Sequence, residues 1–256
     1  MESVELPDLA PDEVAKIYLP HGPPLFTKAG FRHGLVFSIP YSLGLAVFGL
    51  TAGVLAQKAG LSLFEAILMS GAVFAGASQL AVLSHWPDMW AFSVLLAAVL
   101  LVLTINSRFI LMGASLYPYL RHLKGPAPWG LLFINTDFLW ILFLRDAAIA
   151  KEEKRRPDLG FFLGFGLVMW VIWVLVTIPG WYIGSSIADL KKYALDLFAL
   201  LFFASLLVPM WKGVAHARPW MVAAVVAAIA YFILPGSYYI VIGALAGAAA
   251  GALLKS

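Results

Sequence analysis

The chain has 256 residues, of which 62% are hydrophobic and only 12% are charged. Soluble domains carry roughly 25% charged residues, so this composition and a mean hydropathy of +0.91 indicate an integral membrane protein. The chain contains no cysteine, which excludes disulfides and thiolate metal sites, and its net charge of +3 is too small to indicate nucleic-acid binding.

The N-terminal segment 1–28 differs from the rest of the chain. It is polar and proline-rich and has no basic region followed by an apolar run, so it does not resemble a secretory signal. We therefore expect residues 1–28 to be a polar cytoplasmic leader and residues 29–256 to be one transmembrane transporter domain.

Apolar segments separated by charged or turn-rich loops follow the leader. The predicted fold is an all-α polytopic membrane protein with seven or eight transmembrane helices, because the last two segments are barely long enough to span a bilayer. The segments are 33–56, 61–84, 90–119, 129–149, 159–186, 194–211, 219–234 and 238–254.

The distribution of lysine and arginine favours a cytoplasmic N-terminus. In that orientation eight basic loop residues lie inside, half of them in the cluster 151–156, and five lie outside. The inside set is Lys28, Arg32, Lys151, Lys154, Arg155, Arg156, Lys212 and Arg218, and the outside set is Lys58, Arg121, Lys124, Lys191 and Lys192.

A nearly constant offset along the chain relates several positions in its two halves. Trp90 and Trp220 are separated by the same number of residues as Gly113 and Gly243, and further positions between these pairs match at that separation. At a separation one position longer, Gly49, Gly53 and Glu65 correspond to Gly180, Gly184 and Asp196. Either residues 34–118 and 165–248 are internal repeats joined by helix 129–149, or apolar sequences match here by chance.

Segment 90–119 would be about 45 Å long as one helix, whereas the hydrocarbon core is about 30 Å thick. A break near 104–107 would resemble the discontinuous helices that transporters use to direct helix ends at substrates. The alternative is a tilted helix that protrudes into water.

The segment 70–79 reads Ser-Gly-Ala-Val-Phe-Ala-Gly-Ala-Ser-Gln, and a helix places Glu65, Ala72, Gly76 and Gln79 on one small, polar face. Such a face is typical of a tight helix contact or a polar cavity. Ser78 and Gln79 are therefore candidate substrate-binding residues, with interhelical hydrogen bonding as the alternative.

Three residues in the first span form a second candidate group. Pro40 removes a backbone donor and frees a carbonyl, and the hydroxyls of Ser38 and Ser42 lie beside it. Either these groups contact a substrate or the hydroxyls bond to their own helix.

Asn106 and Arg108 lie at the centre of the apolar stretch 95–112. An arginine inside a membrane is costly unless it is paired or hydrated, so both residues are substrate-binding candidates. The alternative is an arginine that reaches the interface from the end of a separate segment 107–119.

Three carboxylates are candidates for proton or ion coupling. Asp137 is central in 129–149 and is a candidate for a protonatable group or for pairing with Arg108, and the alternative is a buried structural ion pair. Glu65 and Asp196 each lie about one turn into a span, where capping of the helix N-terminus is the alternative role.

Gly243, Gly247 and Gly251 recur at every fourth position and form a smooth ridge, which predicts packing against another helix of this chain or of a partner. Three motifs are missing: the phosphate-binding loop Gly-x-x-x-x-Gly-Lys, paired histidines for a metal, and the nucleophile elbow Gly-x-Ser-x-Gly. We therefore predict no enzyme activity, no metal site and no cofactor.

These motifs resemble the AzlC family, also called the azaleucine-resistance or branched-chain amino acid permease family. The resemblance runs from about Gly34 to the C-terminus. It rests on Pro40-x-x-x-Gly44, Phe48-Gly49, the segment from Met69 to Gln79, Asn106-x-Arg108, Leu111 to Leu116, Thr136-Asp137 and Asp196 to Ala199.

The resemblance implies the large subunit of a two-component, proton-coupled exporter of branched-chain and related amino acids in the prokaryotic inner membrane. Its partner would be a small AzlD-type membrane subunit docked on the glycine ridge, and a homo-oligomer is a further possibility. The family often has His and Glu where this chain has Phe109 and Phe138, so two titratable groups are missing.

Four functional hypotheses follow. The preferred one is a secondary carrier for small zwitterions, with Asn106 and Arg108 on the carboxylate and Ser78, Gln79 and freed carbonyls on the ammonium. The alternatives are a channel or a carrier of another solute class, a membrane-embedded enzyme, and a non-transporting assembly subunit.

Overall fold

The computed structural model of the chain describes residues 19, 21–86, 91–186, 213–234 and 238–253. Within these ranges every regular element is a helix, and one isolated parallel bridge joins Leu25 to Asp158. The predicted all-α class is confirmed, whereas the number of spans stays a prediction because segment 194–211 lies outside the described residues.

The helices follow the predicted segments with shifted ends and several interruptions. In chain order they are α1 (Lys28–Phe37), α2 (Ile39–Lys58), α3 (Leu63–Val73), α4 (Gly76–Ser84), α5 (Phe92–Asn106), α6 (Arg108–Leu120), α7 (Ala127–Phe133), α8 (Asp137–Glu152), α9 (Leu159–Ser186), α10 (Val214–Ile233) and α11 (Tyr238–Leu253).

Three helical stretches of the described chain are long and apolar enough to cross a membrane: Ile39–Lys58, Phe92–Leu120 and Leu159–Ser186. The second is α5 continued by α6 through Ser107, whose backbone keeps right-handed helical angles (φ −54°, ψ −28°). Of the two alternatives left open for this segment, a break near 104–107 or one tilted helix, the structure shows two helices that meet at Ser107 without an unwound segment. The backbone leaves the helical path instead at 74–75 and at 134–136, inside two of the predicted spans.

The chain divides into two compact units. The first comprises Met1–Leu45 and Phe109–Ile172, and the second comprises Ala46–Arg108 and Trp173–Ser256. This division differs from the predicted boundary between the leader and the transporter domain. That boundary stays a prediction, and so does the internal repeat.

In the first unit, α1 packs closely on the beginning of α9. A Cβ atom at Gly34 would collide with the backbone of Phe161 and Phe165, and one at Gly164 would collide with the backbone of Phe31 and Leu35. Glycine is required at both positions because any side chain would force the two helix backbones apart.

A short polar connection fixes the start of this helix pair. The carboxylate of Asp158 accepts hydrogen bonds from the backbone N–H of Thr27 (3.1 Å) and of Gly160 (2.7 Å), and from the Thr27 hydroxyl. Nearby, Arg155 donates to Asp146 (2.5 Å) and Glu153 (2.7 Å). The bond to Asp146, followed by that to Glu153, raises the pKa of Arg155 above its ordinary range.

In the second unit, α4 packs on α5, α5 on α11, and α10 on α11. The end of α2 lies against the later part of α9, where a Cβ at Gly53 would collide with the backbone of Thr177 and Trp181. Small residues at these contacts allow close approach, which brings the polar side chains of α3, α4 and α9 within hydrogen-bonding distance of one another.

Candidate functional site

The candidate site in the second unit is built around an interruption between α3 and α4. Phe74 ends α3 in the left-handed conformation (φ 41°, ψ 44°), and Ala75 follows with φ −128° and ψ 73° before α4 begins at Gly76. A phenylalanine in this conformation costs about 1–2 kcal/mol. Such strain is retained in proteins mainly at functional sites.

A closed circuit of hydrogen bonds holds the two half-helices against α9. The indole N–H of Trp173 donates to Oε1 of Gln79 (3.3 Å), and Nε2 of Gln79 donates to the hydroxyl of Ser70 (2.9 Å). The Thr177 hydroxyl donates to the carbonyl of Trp173, so Ser70 donates to Thr177 (2.9 Å). All four side chains are at most 2% exposed.

This circuit places Gln79 in an interhelical role. Its amide oxygen and nitrogen both have partners within the protein, as expected for a buried amide. Its assignment as a substrate-binding residue stays a prediction, but the alternative that the sequence left open, an interhelical contact, is the geometry that the structure shows.

Asn106, at the end of α5, reaches the first turn of α4. The Ser78 hydroxyl donates to the carbonyl of Ala75 (3.0 Å) and accepts from Nδ2 of Asn106 (3.1 Å). This pattern fixes the orientation of the Asn106 amide, because Ser78 has no second hydrogen to donate. The Oδ1 atom of Asn106 is buried and has no hydrogen-bond partner in the described part of the chain.

The two helix ends at the interruption have opposite polarity. No side chain caps the N-terminus of α4, so the first-turn N–H groups form a partial positive charge. At the other end, no backbone N–H of the described residues donates to the carbonyls of Ala72 or Val73. A zwitterion carries the charges that complement both ends.

Arg108 begins α6, just after Asn106 and Ser107, and is partly buried. It belongs to the second unit with Ser78, Gln79 and Asn106. The structure therefore brings together four of the predicted substrate-binding residues in one unit, although a role in substrate binding stays a prediction for each of them.

The predicted group in the first span is in the first unit. The hydroxyl of Ser38 donates to the carbonyl of Leu35, and that of Ser42 to the carbonyl of Ile39, both at 2.7 Å. Pro40 lies in the first turn of α2, where a missing N–H is tolerated. These bonds match the alternative of hydroxyls bound to their own helix, and the binding role of Ser38, Pro40 and Ser42 stays a prediction.

The three predicted coupling carboxylates have different surroundings. Glu65 is exposed and forms a capping box with Ser62, which is the alternative role that the sequence left open. Asp137 occupies the first turn of α8, directly after the N-cap residue Thr136. Asp196 lies outside the described residues.

The glycine ridge of α11 packs against α10 of the same chain. A Cβ at Gly243 would meet Ala227 and Ala223, and one at Gly247 would meet Ala223. Gly251 is exposed and has only Pro219 nearby. The ridge therefore contacts a helix of its own chain, and docking of a partner subunit on it stays a prediction.

The sequence reasoning missed three members of the buried circuit: Ser70, Trp173 and Thr177. The available signal was the pair Trp173 and Thr177 at a helical spacing of four in an otherwise apolar span, which places an indole N–H and a hydroxyl on one face. Among the described residues, no group of three or more His, Cys, Asp or Glu side chains is placed to hold a metal ion.

Comparison with known proteins places this architecture in a family. The model of the family described as AzlC protein matches residues 40–187. A protein of Archaeoglobus fulgidus described as an uncharacterized membrane protein is 32% identical over 225 residues, which cover 87% of this chain and 94% of the relative.

A second relative is the inner membrane protein YgaZ of Escherichia coli K12. It is 28% identical over 170 residues, which cover 62% of this chain and 63% of YgaZ. No solved structure matches. From the family match and the long alignment to the Archaeoglobus relative, we conclude that the chain belongs to the AzlC family of membrane proteins.

Proposed function

We propose that the chain is a secondary active transporter that exports branched-chain or related small neutral amino acids. Membership of the AzlC family is consistent with a transporter or permease. The observation that carries the proposal is the uncapped interruption between α3 and α4, next to a buried, unsatisfied Oδ1 atom of Asn106.

The partial charges of the two helix ends at the interruption complement the carboxylate and the ammonium group of an amino acid. The α-carboxylate would bind the first-turn N–H groups of α4, because a helix N-terminus is a natural anion site, and Arg108 would add a charge-assisted hydrogen bond. The α-ammonium would donate to Oδ1 of Asn106 and to the carbonyls of Ala72 and Val73. Discontinuous helices bind zwitterions in this manner in other transporters.

This arrangement changes two assignments made from the sequence. Asn106 was expected on the carboxylate, but its remaining acceptor suits the ammonium, since its Nδ2 donor is used by Ser78. Gln79 was expected on the ammonium, but both ends of its amide are used in the buried circuit. We therefore propose that Gln79 holds the half-helices in place, while Asn106 contacts the substrate.

We further propose that transport is coupled to an ion gradient and involves a small AzlD-type membrane subunit, as the resemblance implies. The second candidate function is a channel or a carrier of another small solute. Counterflow of labelled substrate distinguishes a carrier from a channel, because only a carrier exchanges internal for external substrate without a net gradient.

The test is efflux of labelled valine and leucine from proteoliposomes that contain the chain, with and without the small subunit and with and without a pH gradient. Arg108→Ala and Asn106→Leu should lower the rate roughly tenfold or more, because each removes a hydrogen bond to a charged group. Ser107→Ala is the matched control, since this exposed hydroxyl only donates to the carbonyl of Thr104.

Efflux that is unchanged in both Arg108→Ala and Asn106→Leu would exclude these residues from the site. Absence of valine and leucine transport by the wild-type chain, with the small subunit present, would contradict the proposed substrate class. Transport without counterflow would favour the channel.

A further inference from the structure

The first unit contains its own interrupted segment, between α7 and α8. Helix α7 ends at Phe133, Ile134 and Asn135 are not helical, and Thr136 is extended (φ −128°, ψ 162°) before α8 begins at Asp137. This segment lies inside the apolar stretch 129–149, where unpaired backbone groups are costly.

Asn135 is 3% exposed, and only one of the two polar atoms of its side-chain amide has a hydrogen-bond partner. Nδ2 donates to the sulfur of Met112 at 3.7 Å, whereas Oδ1 is buried without a hydrogen-bond partner in the described part of the chain. Thioether sulfur accepts but does not donate hydrogen bonds, so the reverse orientation of the amide would leave both atoms unsatisfied. The free group at this position is therefore an acceptor.

Two backbone acceptors accompany this oxygen. Within the described residues, no backbone N–H donates to the carbonyl of Ile134 or of Asn135, although the N–H groups of both residues have partners in α7. Gly166 of α9 lies against Ile134, and a Cβ there would collide with the Ile134 side chain and carbonyl oxygen. The segment thus combines one amide oxygen with two carbonyl oxygens and uses its own N–H donors elsewhere.

The electrostatics of the helix ends also favour a cation here. The C-terminus of α7 directs partial negative charge at the segment. The positive end of α8 is offset by Asp137 in its first turn, and Thr136 accepts from the N–H of Leu139 (3.2 Å).

We propose that the oxygen atoms of Ile134 and Asn135 form a binding site for a small monovalent metal cation, namely Na⁺. Backbone carbonyls of unwound helices coordinate Na⁺ in transporters. A divalent ion such as Ca²⁺ takes six to eight oxygens and several carboxylates, and no group of three or more His, Cys, Asp or Glu side chains lies together among the described residues. The site concerns ion binding and does not rest on the transport activity proposed above.

The experiment measures thermal unfolding of the purified full chain in detergent, without any amino acid, in NaCl, KCl or choline chloride at constant ionic strength. Above the Kd, each tenfold increase in Na⁺ should raise Tm by roughly 3–6 °C, and choline should have no effect. Binding of labelled Na⁺ to the same samples gives a direct readout.

Three variants test the assigned atoms. Asn135→Leu should abolish the Na⁺-dependent rise, because it removes Oδ1. Met112→Leu is the matched control: it removes the partner of Nδ2 but keeps Oδ1, so the rise should persist. Asn135→Asp keeps an oxygen and adds charge, so it should lower the Kd for Na⁺ at least several-fold, and it serves as the test should Asn135→Leu not fold.

Three outcomes would overturn the assignment. The first is a wild-type Tm that does not change with Na⁺ concentration, together with no binding of labelled Na⁺. The second is an unchanged Na⁺ dependence in Asn135→Leu or an unchanged Kd in Asn135→Asp. The third is stabilisation by methylammonium at lower concentration than by Na⁺, which would assign the acceptors to an ammonium group. Loss of amino acid transport alone would affect only the proposed function.

Discussion

The indole N–H of Trp173 donates to Oε1 of Gln79 at 3.3 Å, and both side chains are almost completely buried. Gln79 lies in α4 and Trp173 in α9, so this bond ties the half-helix after the interruption to a helix that is long and apolar enough to cross a membrane. Gln79 then donates to Ser70 of α3, on the other side of the interruption. One amide thus connects three helices and stabilises the unwound segment between two of them.

Gln79→Leu should destabilise the protein by roughly 1–3 kcal/mol, because it leaves the buried indole N–H of Trp173 without an acceptor. The measurement is the free energy of unfolding, or Tm, of the purified protein in detergent. Ser84→Ala is the matched control in the same helix, since this exposed hydroxyl only donates to the carbonyl of Leu80. Equal stability of both variants would contradict a structural role for the circuit.

Gly34→Ala and Gly44→Ala should change stability in opposite directions. At Gly34 the added Cβ collides with the backbone of Phe161 and Phe165, so overpacking should cost about 1–3 kcal/mol. At Gly44 nothing lies within 4 Å, and alanine should stabilise the helix by roughly 0.5–1 kcal/mol. A neutral Gly34→Ala variant would show that α1 and α9 are farther apart than described.

Glu65→Gln separates capping from proton coupling. Glu65 accepts from the N–H and hydroxyl of Ser62 at 2.7 Å on an exposed helix end. We expect Glu65→Gln to lower Tm slightly and Ser62→Ala to lower it by a similar amount. We expect no change in the pH dependence of valine efflux. A variant that transports valine but no longer responds to the pH gradient would assign Glu65 to coupling instead.

The glycine ridge can be tested at its two ends. Gly243→Leu should lower Tm, because its side chain would overlap Ala227 and Ala223 of α10. Gly251→Leu should leave the Tm of the isolated chain unchanged, because only Pro219 is near. Co-purification of the proposed AzlD-type subunit with Gly251→Leu then reports on docking: loss of this subunit would support a partner contact at this end, and full retention would contradict one.

Two reciprocal helix contacts in the first unit bear on the predicted repeat. Gly34 contacts Phe161 and Phe165, and Gly164 contacts Phe31 and Leu35. Gly34 and Gly164 are separated by the same offset that relates Trp90 to Trp220 in the sequence, and so are Phe31 and Phe161. The contacts are therefore reciprocal in the way expected of two related helices around an approximate two-fold axis. The repeat stays a prediction.

Much of the fold was readable from the sequence. Long apolar segments predict helices because the bilayer leaves the backbone no other partners, and the glycine spacing of α11 predicts a close helix contact. The polar residues Ser78, Gln79, Asn106 and Arg108 were identified as candidates because polar side chains are costly in hydrocarbon. None of this reasoning depends on knowing which helices are neighbours.

The tertiary structure decided where the helices are interrupted and which polar atoms remain available. Helix length left a break near 104–107 open beside a tilted helix, whereas the backbone leaves the helical path at Phe74 and at Asn135, which the sequence pattern did not indicate. Contacts with α9 hold these local conformations, and a single segment's pattern does not contain them. Helix packing also uses both ends of the Gln79 amide and leaves one oxygen without a partner on Asn106 and on Asn135, because hydrogen bonds between distant residues exist only once the helices have packed.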